Sequence, residues 1–406
     1  MRTKFRTLQY TIICVAYFAA YSGAHAYAAV FLLDRGFTNT LIGVILALAN
    51  ILSVLTQPMA AGLIDKYERF TNRKVSIACA IGCAIACASL YFLKGIAVIF
   101  VVYVLLYTLQ MLYQPLIQAL CFEYNGAGDT INFGLARGLG SCGFAVTSAI
   151  IGKLLVNNGV SVLQIVNVIA FVVGILMMFL FVGPNADGAK VAATESTPIA
   201  NPEESGDAES GEPHNSFLSF VKYYPMFMVF VLGGTFLFFE HNALNDYLIQ
   251  IITPLGGNET TMGTMVMVAA LLELPAMAGF ARAEKKFGAK KILMLSAIMF
   301  TIKTIVMFFA TNLVMAYISQ ACQIFAYALF IPGTAYLAEM VMEKADKTKG
   351  QAYVNCTITL GGVFSALVCG RLLDIVGVHS MLLVSTVIGI IGTIVSVFAL
   401  TRIKDK

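Results

Sequence analysis

The feature that most limits what this chain can fold into is a succession of apolar runs. Each is close to the roughly 20 residues an α-helix needs to cross a bilayer. Twelve are predicted, at 8–32, 40–63, 74–93, 96–121, 136–158, 161–182, 224–253, 261–282, 290–310, 313–341, 349–374 and 378–401. They fall six and six around 183–215, where seven acids and one lysine stand among Pro, Gly, Ala and Ser. That is a linker composition. A bilayer core offers backbone N–H and C=O groups no water, so such runs must close their hydrogen bonds within themselves as helices. The expected fold is an all-α integral membrane protein of two pseudo-symmetric six-helix bundles. These span 1–182 and 216–406, joined by a cytoplasmic linker over 183–215.

Composition excludes the soluble alternative. Of 406 residues, 59% are apolar and 12% charged, with a mean hydropathy of +0.83; soluble proteins carry about 25% charge. The formal charge of +4 with no basic tail speaks against nucleic acid as a partner. The basic start, Met1 to Arg6, has no small-residue cleavage site after a short apolar run, so it opens the first span. Nine cysteines lie mostly inside apolar runs, and Cys79, Cys83 and Cys87 share one helix face as packing residues, with no His or carboxylate beside them. Neither a metal site nor a disulfide framework is expected. With both termini cytoplasmic, 20 of the 26 cations fall inside and four (Arg35, Lys94, Lys153, Arg371) outside. That asymmetry sets the orientation of a multi-pass plasma-membrane protein. Arg137 and Lys303 remain within spans.

Arg137 sits in Phe133-Gly134-Leu135-Ala136-Arg137-Gly138-Leu139-Gly140-Ser141-Cys142-Gly143-Phe144-Ala145. Small residues four apart (Gly134, Gly138, Cys142) would form a seam where helices touch. An arginine there either snorkels to headgroups or faces a bundle interior or wet cavity, in which case it marks a functional site.

The two halves echo each other. Gly62-Leu63-Ile64-Asp65-Lys66 through Asn72-Arg73-Lys74 closes span 2, and Gly279-Phe280-Ala281-Arg282 through Phe287-Gly288-Ala289-Lys290-Lys291 closes span 8. A glycine, a charged turn and a basic pair at the same place in each half indicate a repeated unit, and the pattern resembles the loop signature of the major facilitator superfamily. Asp65 and Arg73 are expected to form a gate-closing latch, or in the plainer reading to anchor the turn at the headgroups. Within that superfamily, Phe133 to Ala145 resembles the helix 5 signature of the lactose permease (oligosaccharide:proton symporter) family and its phenylpropionate and nucleoside permease relatives. Gly23-Ala24-His25, Gln57-Pro58 and Phe309-Ala310-Thr311 match in place.

The resemblance implies a sugar-type site. Arg137 falls on the family's sugar-binding arginine, whose fork of donors suits vicinal hydroxyls or a carboxylate. Phe144 takes the place of a stacking tryptophan. Gln118 falls near the arginine's acidic partner, and Glu123, one turn on, is the candidate to neutralise Arg137 instead. Glu273 falls near a sugar-binding glutamate, and His25 sits where helix 1 faces the cavity. The departures are informative. Asn242 and Asn245 stand at two acid positions, and Gln320 and Ile358 at the lysine positions that pair with them. Each pair is neutral in both members, as expected when stranding one buried charge costs about 3–5 kcal/mol. Gln323 and Ala326 replace the helix 10 proton relay, while Lys303 keeps the cation that partners it.

Coupling must then use another acid. By helix rise, Glu273 lies ~18 Å from one end of its span and Lys303 ~20 Å from an end of its own, both near the midplane of a ~30 Å core. Glu273 is expected to alternate between a proton and an ion pair, with Lys303 or the substrate system as partner. Glu240 and His241 are the second candidate pair, adjacent but on different helix faces. Further cavity candidates are Gln323, Tyr327, Asn355 and Thr359; Thr357 and Thr359 can also satisfy themselves on a backbone carbonyl.

Two function classes remain. One is an alternating-access transporter in which two bundles rock about a midplane site. The other is a polytopic enzyme or sensor, and the four histidines at 25, 214, 241 and 379 are too scattered for a catalytic cluster. The expectation is a non-enzymatic, monomeric secondary transporter without a bound cofactor, driven by a proton gradient. Its cargo is a hydroxylated solute, a sugar or a nucleoside, because amides read hydroxyls as both donors and acceptors. An aromatic acid anion as cargo, and uniport or export as mode, are the alternatives.

Overall fold

A computed structural model describes residues 2–126, 130–182 and 217–403; the expected linker at 183–215 lies outside the described residues. Sixteen α-helices are described: α1 (Arg2–Tyr21), α2 (Ala28–Asp34), α3 (Asn39–Lys66), α4 (Asn72–Phe92), α5 (Ile96–Gly126), α6 (Phe133–Asn158), α7 (Val162–Leu180), α8 (Phe217–Tyr223), α9 (Pro225–Asp246), α10 (Leu248–Ile252), α11 (Glu259–Phe287), α12 (Ala289–Phe308), α13 (Leu313–Ala321), α14 (Tyr327–Val341), α15 (Lys347–Ile375) and α16 (Gly377–Arg402). Among the described residues eleven spans are long and apolar enough to cross a membrane, α13 and α14 together making one of them, and twelve if α1 and α2, bent by 49°, form a single span. The protein is therefore an all-helical, multi-pass membrane protein.

Local chemistry sets the helix ends. Thr38, Thr71, Asn132 and Asn312 each accept the N–H three residues on, satisfying a donor that the first turn leaves orphaned. Gly288, at φ 80°, makes the turn from α11 into α12 in a conformation side chains resist. Two spans are interrupted. The first passes through a π-helical turn, Ser22–Ala26, before bending at Tyr27. The tenth breaks into a 3₁₀ turn, Cys322–Ile324, between α13 and α14. Ser296 Oγ donates to the Ala326 carbonyl at 2.7 Å, a second bond beside the one that this carbonyl accepts from the Phe330 N–H at 3.1 Å.

Contacts gather the chain into two compact units. The first comprises Met1–Thr194, Asp246–Leu271 and Ala366–Asp374; the second comprises Glu195–Asn245, Leu272–Ser365 and Ile375–Lys406. The second unit is centred on an aromatic core of Phe220, Phe227, Phe230, Phe238, Phe300 and Phe330, all at most 1% exposed.

The first unit contains two helix crossings of the same design. At α6 against α11, a Cβ on Gly152 would meet the Glu259 carbonyl at 2.4 Å, and one on Gly263 would meet the Ser148 carbonyl at 2.4 Å. At α3 against α15, a Cβ on Gly43 would meet the Ala366 carbonyl at 2.0 Å, and one on Gly370 the Asn39 carbonyl at 2.4 Å. In each crossing a glycine of either helix faces a backbone carbonyl of the other, and one helix carries small-xxx-small (Ser148 and Gly152, Ala366 and Gly370), so backbones touch. A tyrosine hydroxyl pins each crossing: Tyr27 donates to Ser148 O and Tyr247 to Ala366 O, both at 2.7 Å. Tyr27 follows the bend in the first span and Tyr247 separates α9 from α10, so the internal repeat extends to these pins. The second crossing carries an added cap. Asp374 accepts from the Asn39 and Thr40 backbone N–H groups at 3.1 and 2.7 Å and from both side chains, neutralising the α3 N-terminus.

Gly134, Gly138 and Cys142 do not form the expected seam. Nothing lies within 4 Å of a Cβ built on Gly138, and one on Gly134 meets only Asn132. The close face is Gly140 and Gly143, against Phe18 (2.7 Å) and Val15 (3.0 Å) of α1. The i+4 pattern found small residues but not the face that α1 covers.

Replacing Tyr247 by Phe removes one buried hydrogen bond and is expected to lower stability by about 1 kcal/mol. Gly370→Leu forces the α3 and α15 backbones apart and should cost several times more; thermal unfolding in detergent measures both.

Candidate functional site

Within the first unit, Arg137 is half-buried on α6, one turn past the Asn132 cap. Its guanidinium lies 4.2 Å from the Phe18 ring centroid, a cation–π geometry. Nη1 donates to Ser141 Oγ at 2.6 Å, one turn on. Tyr10, Cys14, Tyr17, Phe18, Gln114, Gln118 and Arg137 are among the residues lining a pocket no larger than one water. A guanidinium has five N–H donors, and Ser141 takes one. The expected neutralisation by Glu123 does not occur: Glu123 Oε2 instead accepts from Asn72 Nδ2 at 3.1 Å, tying α5 to α4. Among the described residues Arg137 has no acidic partner, so its charge and most of its fork remain available. Gln118 lines the same pocket.

His25 lies in the π-helical turn, stacked on Tyr21 at 3.9 Å between centroids and tilted by 37° against Tyr107 at 3.7 Å. Phe144 extends this aromatic row at 6.0 Å from Tyr21. π-Turns are frequent at functional sites. Asp65 and Arg73 are not paired. Asp65 is exposed, while Arg73 donates to the Met178 and Phe179 carbonyls at 2.9 Å each, capping the C-terminus of α7. The helix end offers a row of unsatisfied carbonyls, which outcompetes a solvated carboxylate.

The second unit brings its polar candidates into two groups. In the first, Lys303 Nζ donates to Gln323 Oε1 at 2.7 Å, and Gln323 Nε2 donates to Glu273 Oε1 at 2.9 Å. Lys303 is 1% exposed and Gln323 is 5% exposed. The Gln323 amide bridges the ammonium and the carboxylate, so Lys303 and Glu273 are linked through an inserted side chain. Gln323 reaches both because it stands on the 3₁₀ turn, where the span is broken. In the second group, His241 stacks face to face on Tyr327 (5.2 Å, 8°), and its Nε2 lies 2.9 Å from Asn245 Nδ2. Glu240, facing the other way, is fully buried and lies 3.1 Å from Thr301 Oγ1.

Other candidates are occupied or peripheral. Asn242 Nδ2 bonds its own helix at the Phe238 carbonyl (2.8 Å), and Thr357 does the same at Val354 (2.6 Å). Asn355 is exposed and Thr359 half-buried on α15. Sequence reasoning missed Phe18, Ser141 and Thr301 as partners. Ser141 alone had a signal, its i+4 spacing from Arg137.

Known proteins can now be set beside this geometry. A family model described as "MFS_1 like family" matches residues 7–384. No curated protein matches the chain. Among solved structures, the nucleoside transporter NupG superposes with a TM-score of 0.75 at 13% identity, covering 98% of this chain and 100% of its own. A bacterial homolog of the human lysosomal transporter Spinster, in an inward-facing unoccupied conformation, gives 0.67 at 12% identity over 99% and 98% of the two chains. An auto-inhibited POT family peptide transporter gives 0.71 at 9% identity over 98% and 97%. At these identities the likeness is one of fold.

Removing one end of the Lys303–Gln323–Glu273 chain strands the other charge. Lys303→Met or Glu273→Met alone is expected to cost about 3–5 kcal/mol of stability, and the double substitution to recover most of it. A double-mutant cycle by thermal unfolding checks this.

Proposed function

Because the chain belongs to the MFS_1-like family of membrane transporters, we propose that it moves a small hydroxylated solute, a nucleoside or a sugar, by alternating access coupled to protons. It acts as a monomer in the plasma membrane with both termini in the cytoplasm and needs no bound cofactor. The observation that carries the reading is Arg137: a cation inside an apolar helix, with one hydrogen bond and no acidic partner among the described residues. A guanidinium is retained in such a place when something else completes its hydrogen bonding. Vicinal hydroxyls fit the fork, and the rings of Phe18, Tyr21 and Phe144 offer flat apolar faces to a base or a sugar ring. Gln118 can donate and accept beside them. That NupG, a protein of like fold, is a nucleoside transporter supports the nucleoside over the sugar.

Glu273 is the proposed coupling residue. Bonded through Gln323 to Lys303, it can hold its charge; protonated, it releases Lys303 and Gln323 to other partners. A second reading is favoured by one feature. Among the described residues no carboxylate pairs with Arg137, and an aromatic acid anion would supply one.

Uptake into vesicles of purified protein, with labelled nucleosides, oligosaccharides and phenylpropionate, separates these. A nucleoside or sugar should accumulate, faster with an inward proton gradient. Arg137→Lys keeps the charge but not the fork and should weaken apparent affinity about tenfold or more. Uptake confined to phenylpropionate selects the anion reading. Accumulation indifferent to the gradient removes the coupling.

A further inference from the structure

Glu240 lies off the Lys303–Gln323–Glu273 chain. It is fully buried on α9, against α12 and α16. Three oxygen contacts run away from it: Glu240 Oε1 to Thr301 Oγ1 at 3.1 Å, Thr301 Oγ1 to Thr393 Oγ1 at 2.9 Å, and Thr393 Oγ1 to the Ala297 carbonyl at 2.7 Å. Each contact needs a hydrogen between its oxygens. A carbonyl has none, and each threonine hydroxyl has one. An ionised Glu240 therefore leaves three contacts sharing two hydrogens, with one pair of lone-pair-bearing oxygens pressed together. Only a carboxylic acid at Glu240 supplies the third. The hydrogens then run in one direction, from Glu240 to Thr301 to Thr393 to the Ala297 carbonyl.

The other oxygen agrees. Oε2 is buried with no hydrogen-bond partner among the described residues, and it abuts Gly389 of α16. A Cβ on Gly389 would lie 1.8 Å from it, so the glycine is what makes room for the carboxyl group. An anionic oxygen buried without a hydrogen bond is costly, whereas the carbonyl oxygen of an acid is tolerated. Thr304, also beside the carboxyl, donates to the Phe300 carbonyl at 3.3 Å.

We propose that Glu240 is a proton-binding site, carrying its proton on Oε1 at the head of the Thr301–Thr393 hydroxyl chain. The charged and titratable groups around it make the proton exchangeable in principle. Lys303, on α12, stands within electrostatic reach of both Glu240 and Glu273. His241, its neighbour on α9, is turned to Asn245 and Tyr327. Cys322 lies beyond Lys303. From α16 the contacts are Gly389 and, through Thr301, Thr393, neither titratable. One ammonium beside two carboxyl groups is neutral when one of the two holds a proton, and the hydrogen count assigns it to Glu240. Loss of that proton (–COOH to –COO⁻ plus H⁺) leaves a carboxylate for Lys303 to turn to, and frees Glu273 to take a proton in exchange. As a store for the transported proton, the site rests on the function proposed above; its protonation does not.

Infrared spectroscopy of the purified full chain tests this without any solute. The wild-type minus Glu240→Gln difference is expected to show the C=O stretch of a carboxylic acid, and Glu273→Gln is expected to leave that band in place. Thr301→Val, which removes the acceptor of the acid proton, should shift the band. A difference showing only carboxylate bands overturns the proposal. So does an unshifted band in Thr301→Val, which decides the matter even if Glu240→Gln does not fold.

Discussion

A charge inside this protein has no water to turn to, and the arrangement of every polar group follows from that. Lys303 is the clearest case. An ammonium 1% exposed in an apolar helix would be untenable alone. It is held by the Gln323 amide, which bridges it to Glu273. Gln323 makes both contacts from the irregular turn of the tenth span, so one buried cation is tied to a glutamine and a carboxylate on two other spans.

The same rule explains the contrast with Arg137. Its guanidinium is partly satisfied, by a ring face and one hydroxyl, and keeps donors to spare. Within one chain, a cation enclosed by protein partners reads as part of a charge-balancing network. A cation left with open donors reads as a place for cargo. The glycine crossings express a third solution. Where helices must meet closely, side chains are deleted and a single tyrosine hydroxyl completes the backbone's hydrogen bonding.

Much of this was legible in the sequence, for identifiable reasons. The spans announce themselves because lipid demands about 20 apolar residues, and Arg137 and Lys303 stand out against that background. The joint neutrality of positions 242, 245, 320 and 358 could be read because buried charges come and go in pairs. The break at Cys322–Ile324 could not, since neither Gly nor Pro marks it. The helix seam was placed on Gly134 and Gly138 because spacing reveals periodicity but not which face a neighbour covers. Arg73 and Glu123 found partners on other elements, α7 and α4, that no local pattern specifies.

The central claim is that solute movement and a proton are linked through these buried charges. The direct measurement is the pH of a lightly buffered medium around vesicles of purified protein when nucleoside or sugar is added outside. The account predicts that the medium turns alkaline as solute enters, each solute drawing protons with it. Solute entry with no change in external pH would contradict it.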